Sequence, residues 1–228
     1  MPSRQRFELI TLLAYNEILR LKIGALPINS DTFLTPGEQD IIVCSYQEFS
    51  KSTGVSLKDL SLNGKLGDGF FVSGIRGFRT MIFYNAAIYT PRVRFTLIHE
   101  VGHIMLNHNR NAKIEESEAN FFASQFLMPS AIILELRIRG YNPDVNKLCR
   151  IFNVSQAAAN IKLNHLAEQP YTETHLDSNI VKRFTPYLNQ YFPTKLSPFS
   201  CKQYFCLNKE NYRACRSLKE AMLSPLFP

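Results

Sequence analysis

The length, composition and charge of the chain exclude several classes of protein before any motif is considered. Its 228 residues suffice for one sizeable core with a small appendage, and a hydrophobic fraction of 45% with 17 Phe excludes a disordered chain. The formal net charge of +7 permits an acidic or nucleic-acid partner, but no run of basic residues marks a DNA-binding tail.

The N-terminal segment predicts a helix rather than a targeting signal. Its apolar stretch Leu9–Tyr15 is interrupted at once by Asn16 and Glu17, and no small-residue cleavage site follows. No stretch approaches the roughly 18 apolar residues of a membrane span. The five Cys are an odd number, which favours reduced thiols. We therefore expect a cytoplasmic protein without a membrane partner.

The first half of the chain predicts a helix, a strand, a short helical region and a hairpin, in that order. The helix runs from about Arg4 to Lys22. The apolar, β-branched run "DIIVCSY" predicts a buried strand. The segment "SYQEFSKSTGVSLKDLS" predicts one or two short helices, with Ser45 as N-cap and Gly54 as the stop. Two aromatic runs around a glycine-containing turn in "GFFVSGIRGFRTMIFYNAAI" predict a β-hairpin.

The second half predicts helices as far as residue 169. Thr90-Pro91 opens a helix that carries three of the five histidines, and "IEESEANFFASQFLMP" predicts a helix that stops before Pro129. Three shorter helical patterns follow, in "SAIILELRIRG", "PDVNKLCRIFN" and "VSQAAANIKLNHLA". Prolines then recur and the helical period weakens. We therefore predict a domain over residues 1–169 and a small C-terminal appendage over residues 170–228.

The segment "HEVGH" predicts a metal site. His99 and His103 are four residues apart, so on an α-helix both imidazoles lie on one face and can reach a single ion. Glu100, beside the first histidine, is placed to take a proton from an attacking water, as in the H-E-x-x-H motif. The apolar residues around the motif indicate a largely buried helix. Such a helix would not tolerate these polar side chains unless they were paired or ligated.

A catalytic zinc site needs a third protein ligand and one open position. The following helix offers Glu115, Glu116 and Glu118. Glu118 adjoins Ala119, whose small side chain would let this helix pack closely against the histidine helix. Alternatively, the acidic run is only a solvated helix start, where carboxylates are favourable. The residues alone leave these possibilities open.

The two segments "RFTLIHEVGHIMLNH" and "ESEANFFASQFLMP" together resemble the ImmA/IrrE family of metallopeptidases, over about residues Ile41–Leu166. The resemblance implies an α+β, zincin-like domain: a small mixed sheet with a metal site between two helices, followed by a helical segment. Carried over by position, it implies His99, His103 and Glu118 as ligands of Zn²⁺, with Mn²⁺ as the alternative ion. It implies Glu100 as the general base, and hence the catalytic residue.

The resemblance also implies a biological role. Several such proteins act in bacteria or their mobile elements and cleave a helix-turn-helix transcriptional repressor. We therefore expect a zinc endopeptidase whose partner is such a repressor, without direct nucleic-acid binding; the oligomeric state is not predicted. The alternative is a non-catalytic, metal-stabilised module that sequesters a repressor or senses a signal. Glu100 favours the enzyme, because a structural site would need a fourth ligand rather than a base.

Other polar residues have weaker interpretations. His108, five residues after His103, is expected at the surface or behind the metal ligands. Tyr84 and Asn85 could line a substrate cleft, or Tyr84 could belong to the core. The segment "FNVSQAAANIKLNHL" has the length of a DNA-reading helix pair. However, its second helix carries only one basic residue, Lys162, which favours packing beside the catalytic domain.

The appendage contains three of the five cysteines, Cys201, Cys206 and Cys215. Their C-x4-C-x8-C spacing lacks a tight C-x2-C pair and a fourth ligand. This pattern is compatible with a degenerate zinc-ribbon-like tail. We favour a thiol-bearing tail without metal.

Overall fold

A computed structural model describes residues 3–29, 41–61, 65–72, 80–108, 112–168 and 174–195. A small sheet and eight helices are found within these ranges. The elements, in chain order, are α1 (Arg4–Arg20), β1 (Ile41–Ser45), α2 (Tyr46–Thr53), β2 (Gly69–Val72), β3 (Thr80–Tyr84), α3 (Thr90–Met105), α4 (Lys113–Leu127), α5 (Ser130–Ile138), α6 (Val145–Phe152), α7 (Gln156–Glu168) and α8 (Asp177–Tyr191).

Local capping explains where several helices begin and end. The hydroxyl of Ser3 accepts a hydrogen bond from the backbone N–H of Arg6 at the start of α1. Ser45 and Glu48 form a capping box at the start of α2, and Gly54 ends that helix with φ of 78°. Pro91 lies in the first turn of α3. The predicted N-cap at Ser45, the stop at Gly54 and the start of the histidine helix are therefore confirmed.

The sheet is mixed and has the strand order β1-β3-β2. β1 pairs in parallel with β3, whereas β2 pairs antiparallel to β3, with Gly69 opposite Tyr84 and Val72 opposite Met81. The predicted hairpin is confirmed, although its turn lies outside the described residues. β1 is less buried than predicted, because it lies at an edge and Ile42 keeps 40% of its surface exposed. The small mixed sheet agrees with the expected α+β fold.

The histidine helix α3 lies between the sheet and α4. Leu97, Ile98 and Val101 of α3 are buried in the main hydrophobic core. At Gly102 the two helices approach so closely that an added Cβ would lie 3.3 Å from the Cα atom of Ala119 and 3.1 Å from the ring of Phe122. This close approach brings side chains of α4 next to the histidines. The small side chain of Ala119 has the packing role that the sequence indicated.

A buried arginine ties the start of α3 to distant parts of the chain. The guanidinium of Arg94 donates hydrogen bonds to the backbone carbonyls of Phe152, at 3.0 Å, and of Asn153 and Ile28. Each carbonyl lies at the end of another element or in a loop, where backbone acceptors lack helical partners. Arg94 thus fixes α3 against the end of α6 and against the segment that follows α1.

Helix α8 was not predicted, because Pro186 lies inside it and weakens the helical pattern. Its buried residues Ile180, Phe184 and Leu188 nevertheless repeat every four positions and belong to the same hydrophobic core as α1 and α5. In addition, the carboxylate of Asp177 accepts hydrogen bonds from the N–H and hydroxyl of Thr174 at the start of the helix. Packing against the core therefore stabilises a helix that its own sequence disfavours.

The predicted division into residues 1–169 and 170–228 stays a prediction, although α8 packs onto the first of these segments. Cys201, Cys206 and Cys215 lie outside the described residues, as does everything after residue 195. Within the described parts of the chain, no single helix is long and apolar enough to cross a membrane. The bent pair α4 and α5, which meet at 41°, passes that test of length and composition only when the two are taken together.

Candidate metal centre

Three potential metal ligands converge where α3 packs against α4. The Nε2 atoms of His99 and His103 lie 3.0 Å apart, as expected for residues separated by about one helical turn. The carboxylate of Glu116 on α4 approaches both, with 3.4 Å to Nε2 of His99 and 3.3 Å to Nε2 of His103. All three ligand atoms lie within 4.8 Å of one another. The arrangement can therefore surround one ion.

The structure brings Glu116 to the two histidines and directs Glu118 elsewhere. Positions two apart on an α-helix point about 200° apart, so only one of these carboxylates can face α3. The buried carboxylate of Glu118 instead accepts a hydrogen bond from Arg6, at 2.6 Å, and lies 3.1 Å from Nε2 of His108. Glu116, rather than the predicted Glu118, therefore lies where a third ligand would be.

A helical signal for Glu116 is present in the sequence. Residues three or four apart share a helix face, whereas adjacent residues do not. Glu116 is three positions before Ala119, which touches Gly102, and four before Asn120, which lines the same cleft. The expectation for Glu118 came from the resemblance to the family and from its being next to Ala119 in the chain. An adjacent residue lies about 100° away around the helix, so this adjacency does not direct its side chain toward α3. Glu115 lies near the backbone N–H of Ala112, at 3.4 Å, at the start of α4.

Burial tunes the imidazoles of the site toward their neutral forms. Burial, together with the charge of a protonated His99, lowers the pKa of His103 to about 4. Burial also lowers the pKa of His99, against the opposing effect of the carboxylate of Glu116. A histidine must be neutral to offer a lone pair to a metal ion. At neutral pH both side chains therefore present nitrogen ligands.

Glu100 is buried beside the histidines, as its place in the motif predicts. Burial raises its pKa to about 7, and the negative charge of Glu116 adds to this effect. A cation held by the neighbouring ligands would oppose the shift, because positive charge favours the carboxylate. A carboxyl group with a pKa near the working pH can both accept and return a proton. Its position and its proton affinity thus suit a general base.

A cleft of about 560 Å³ opens onto these side chains, a size typical of ligand sites. Its walls come from β2, α3 and α4, and its lining residues are Asp68, Gly69, Phe70, Phe71, Phe95, Thr96, His99, Glu100, His103, Glu116 and Asn120. The ring of Phe71 stacks near His103, with centroids 6.0 Å apart. Phenylalanine rings therefore form part of the lining, and polar side chains form the rest.

Strand β2 forms one wall of the cleft because Gly69 lets it approach α3. A Cβ added at Gly69 would lie 2.6 Å from the methyl carbon of Thr96. The cleft is not lined by Tyr84 or Asn85, the residues considered for this role. The carboxamide oxygen of Asn85 instead accepts hydrogen bonds from Gln47 and from the backbone N–H of Ala87. Asn85 therefore organises the turn after β3.

Behind the ligands lies a second set of polar side chains. Nδ1 of His103 is 3.0 Å from Nδ1 of His108, which is buried rather than at the surface. His108 in turn contacts Glu118, which pairs with Arg6 of α1. The hydrogen bond from Arg6, more than the one from His108, holds the pKa of Glu118 below its usual range. Arg6 was not identified from the sequence, because 112 positions separate it from Glu118.

The donor set fits zinc. Two imidazole nitrogens and one carboxylate oxygen form the His₂Glu combination used by catalytic zinc sites, which keep one position open. Manganese prefers a larger share of oxygen ligands, so zinc suits these residues better. Glu100 shares the cleft but is not a member of the convergent group, and this leaves its carboxylate available for proton transfer.

Residues 51–164, half of the chain, match the family model described as Peptidase_M78, the IrrE N-terminal-like domain. No curated protein matches the chain. The matched segment includes α3 and α4, and with them the histidines and acidic residues of the cleft. Arg6 and α8 lie outside it.

Proposed function

The chain belongs to the Peptidase_M78 family of metallopeptidases with an IrrE N-terminal-like domain, and we propose that it is a zinc-dependent endopeptidase. One observation carries the proposal. The buried imidazole of His103, the half-buried imidazole of His99 and the carboxylate of Glu116 converge on a point in a cleft. A further buried glutamate, Glu100, lies beside them and does not join them. A non-catalytic metal site would have no use for that additional acid.

His99, His103 and Glu116 would hold the ion. When bound, zinc lowers the pKa of a water molecule and polarises a carbonyl group. Glu100 accepts the proton of the attacking water and then delivers it to the nitrogen of the departing amine. The pKa of Glu100, about 7 before the charge of a cation is added, suits both transfers. A single carboxyl group thus takes the proton from water and gives it to the peptide nitrogen.

The cleft favours an extended peptide as substrate. Within the described residues β2 pairs only with β3, so its opposite edge is open next to the histidines. An extended segment can add to such an edge through backbone hydrogen bonds. Phe71 and Phe95 supply apolar contacts for its side chains. A folded substrate would therefore have to expose a linker or unfold locally before cleavage.

We propose a helix-turn-helix transcriptional repressor as the substrate, acted on in the cytoplasm and relieved of its repressing function by cleavage at a single flexible segment. This part rests on the resemblance of the two motifs to ImmA/IrrE metallopeptidases. A narrow substrate range is consistent with it, because an unregulated protease would damage its own cell. Direct DNA binding has no part in the proposal, since basic residues do not cluster on one candidate helix.

The test is cleavage of a candidate helix-turn-helix repressor. The purified protein is incubated with that repressor and, separately, with a panel of unrelated proteins that includes casein. We expect one cut in the repressor, loss of cleavage with a chelator, recovery on adding zinc, and little digestion of the panel. Zinc binding without cleavage of any protein would support the non-catalytic module instead. Broad digestion would contradict the proposed specificity.

A further inference from the structure

We propose that His108, Glu118 and Arg6 form a hydrogen-bonded chain that positions His103 for metal binding, so that helix α1 takes part in the metal centre. The inference rests on the metal site of the proposed function. It extends that site to a residue outside the matched segment 51–164. Each of the three is a positioning residue, because none of them faces the cleft.

The contacts run without a break from α1 to the ligand. Arg6 donates a hydrogen bond to Oε2 of Glu118 at 2.6 Å, and the same oxygen lies 3.1 Å from Nε2 of His108. Nδ1 of His108 is 3.0 Å from Nδ1 of His103. The other ring nitrogen of His103, Nε2, takes no part in these contacts and faces Glu116.

The hydrogen-bonding capacity of each group sets the direction of the chain. A carboxylate only accepts, so His108 must donate to Glu118 from Nε2. A neutral His108 then has a lone pair on Nδ1 and accepts the N–H of His103. His103 consequently carries its proton on Nδ1, and its lone pair is on Nε2. The partners thus select the tautomer of His103 that can bind a metal through the atom facing Glu116.

Because these side chains are buried, the loss of one of their hydrogen bonds would be costly. The side chains of His108 and Glu118 are only 5% and 7% exposed, so water has little access to replace a lost partner. The charge of the buried Glu118 carboxylate is balanced by Arg6, whose side chain is 35% exposed. Residues that orient a ligating histidine in this way commonly change metal affinity by about 10–100-fold when they are removed.

The experiment measures zinc affinity of the folded apoprotein by competition with a chelator, without any peptidase assay. His108→Leu removes both hydrogen bonds, and we expect zinc affinity to fall by about 10–100-fold. His108→Gln keeps one acceptor and one donor and should retain more affinity than His108→Leu. Circular dichroism checks that each variant is folded. Cobalt substitution should show an altered absorption spectrum in His108→Leu, because the geometry of His103 is no longer constrained.

The acidic residue has a matched control on α1. Glu17 pairs with Arg20 at 2.8 Å, and these side chains are 10% and 35% exposed, close to the values for Glu118 and Arg6. Glu118→Gln should weaken zinc binding by about tenfold, whereas Glu17→Gln should leave it unchanged. Arg6→Leu should weaken it by a smaller factor than Glu118→Gln, since it acts one step further away.

Several results would overturn the inference. His108→Leu could bind zinc within about threefold of the unaltered protein, or His108→Gln could be no better than His108→Leu. Glu118→Gln could affect zinc no more than Glu17→Gln does, or Arg6→Leu could have no effect. Complete loss of zinc in Glu118→Ala, with retention in Glu116→Ala, would make Glu118 a ligand itself. Failure to cleave a repressor would count against the proposed function and leave these affinities unaffected.

Discussion

Two carboxyl groups in different positions lie beside the imidazoles of the cleft. The carboxylate of Glu116 lies 3.3 Å from Nε2 of His103 and reaches His99 as well. Glu100 is buried in the same cleft, where its pKa is raised to about 7. Glu116 is therefore placed to bind an ion, and Glu100 is suited to transfer a proton. Substitutions at the two positions should separate these tasks.

Glu100→Gln should retain the metal and abolish peptide cleavage. The amide can hold a water molecule but cannot accept its proton, so a loss of more than about 100-fold is expected for a general base. Zinc content measured on the purified variant, beside its rate on the repressor, checks the expectation. Activity near the unaltered level in a metal-replete Glu100→Gln protein would remove Glu100 from the mechanism.

Glu116→Ala should lose most of the bound zinc. Its carboxylate is the oxygen donor of the convergent ligand group, and two imidazoles alone leave a zinc site short of its usual three protein ligands. Glu115→Ala is the control on the same turn, because Glu115 lies at the helix start and does not join the convergent ligand group. Metal analysis after gel filtration is the measurement. If Glu115→Ala loses the ion and Glu116→Ala keeps it, the assignment is wrong.

The contact between α3 and α4 sets how far Glu116 is from the histidines. At Gly102 an added Cβ would lie 3.3 Å from the Cα atom of Ala119, so even a methyl group would require the neighbours to shift by a few tenths of an ångström. Phe122 closes the same contact on its other side and is fully buried. A β-branched side chain at position 102 would require a larger shift of α3 relative to α4. Stability and metal binding should therefore change together at this residue.

Gly102→Val should lower the free energy of unfolding by about 1–3 kcal/mol, the usual effect of overpacking, and should also weaken zinc binding. The control is Ala157→Val, which adds a β-branched side chain at an exposed position of α7, away from the contact between α3 and α4. Urea unfolding and chelator competition are the measurements. A Gly102→Val protein that is destabilised but binds zinc normally would show that the spacing of the helices does not limit the site.

Helix α8, near the end of the described chain, packs in the same hydrophobic core as α1, near its start. Ile180, Phe184 and Leu188 are fully buried, and α8 contacts both α1 and α5. Arg183 adds hydrogen bonds to the backbone carbonyls of Lys22 and Ile23, in the segment that follows α1. The same α1 carries Arg6 at its start. The hydrophobic core that contains α3 therefore also includes residues beyond the predicted boundary at 169.

Phe184→Ala should destabilise the protein by about 3–5 kcal/mol, because it removes a fully buried ring and leaves a cavity. Zinc affinity of the folded protein should remain normal, since the ring does not line the cleft. Ile161→Ala, at a position that is 67% exposed, should have little effect on stability. Thermal unfolding of the apoproteins compares the two. Equal stability of the two variants would place α8 outside the cooperative unit.

Local sequence patterns were enough to predict the elements that carry their own signals. Ser45 and Gly54 bound α2 by capping, and Pro91 lies in the first turn of α3. The spacing of His99 and His103 placed both on one face, because that relation depends only on helical geometry. Glu100 follows from the same short motif. These features depend on neighbours within a few residues of the chain.

Only the tertiary structure decided the rest, because it depends on which distant residues meet. The choice between Glu116 and Glu118 depends on the face that α4 turns to α3, and the close contact of Gly102 with Ala119 determines that face. Arg6 reaches Glu118 across 112 positions, and α8 forms despite Pro186 because its apolar side complements α1 and α5. Helical periodicity fixes directions within one element, whereas contacts between elements arise from packing of the whole chain.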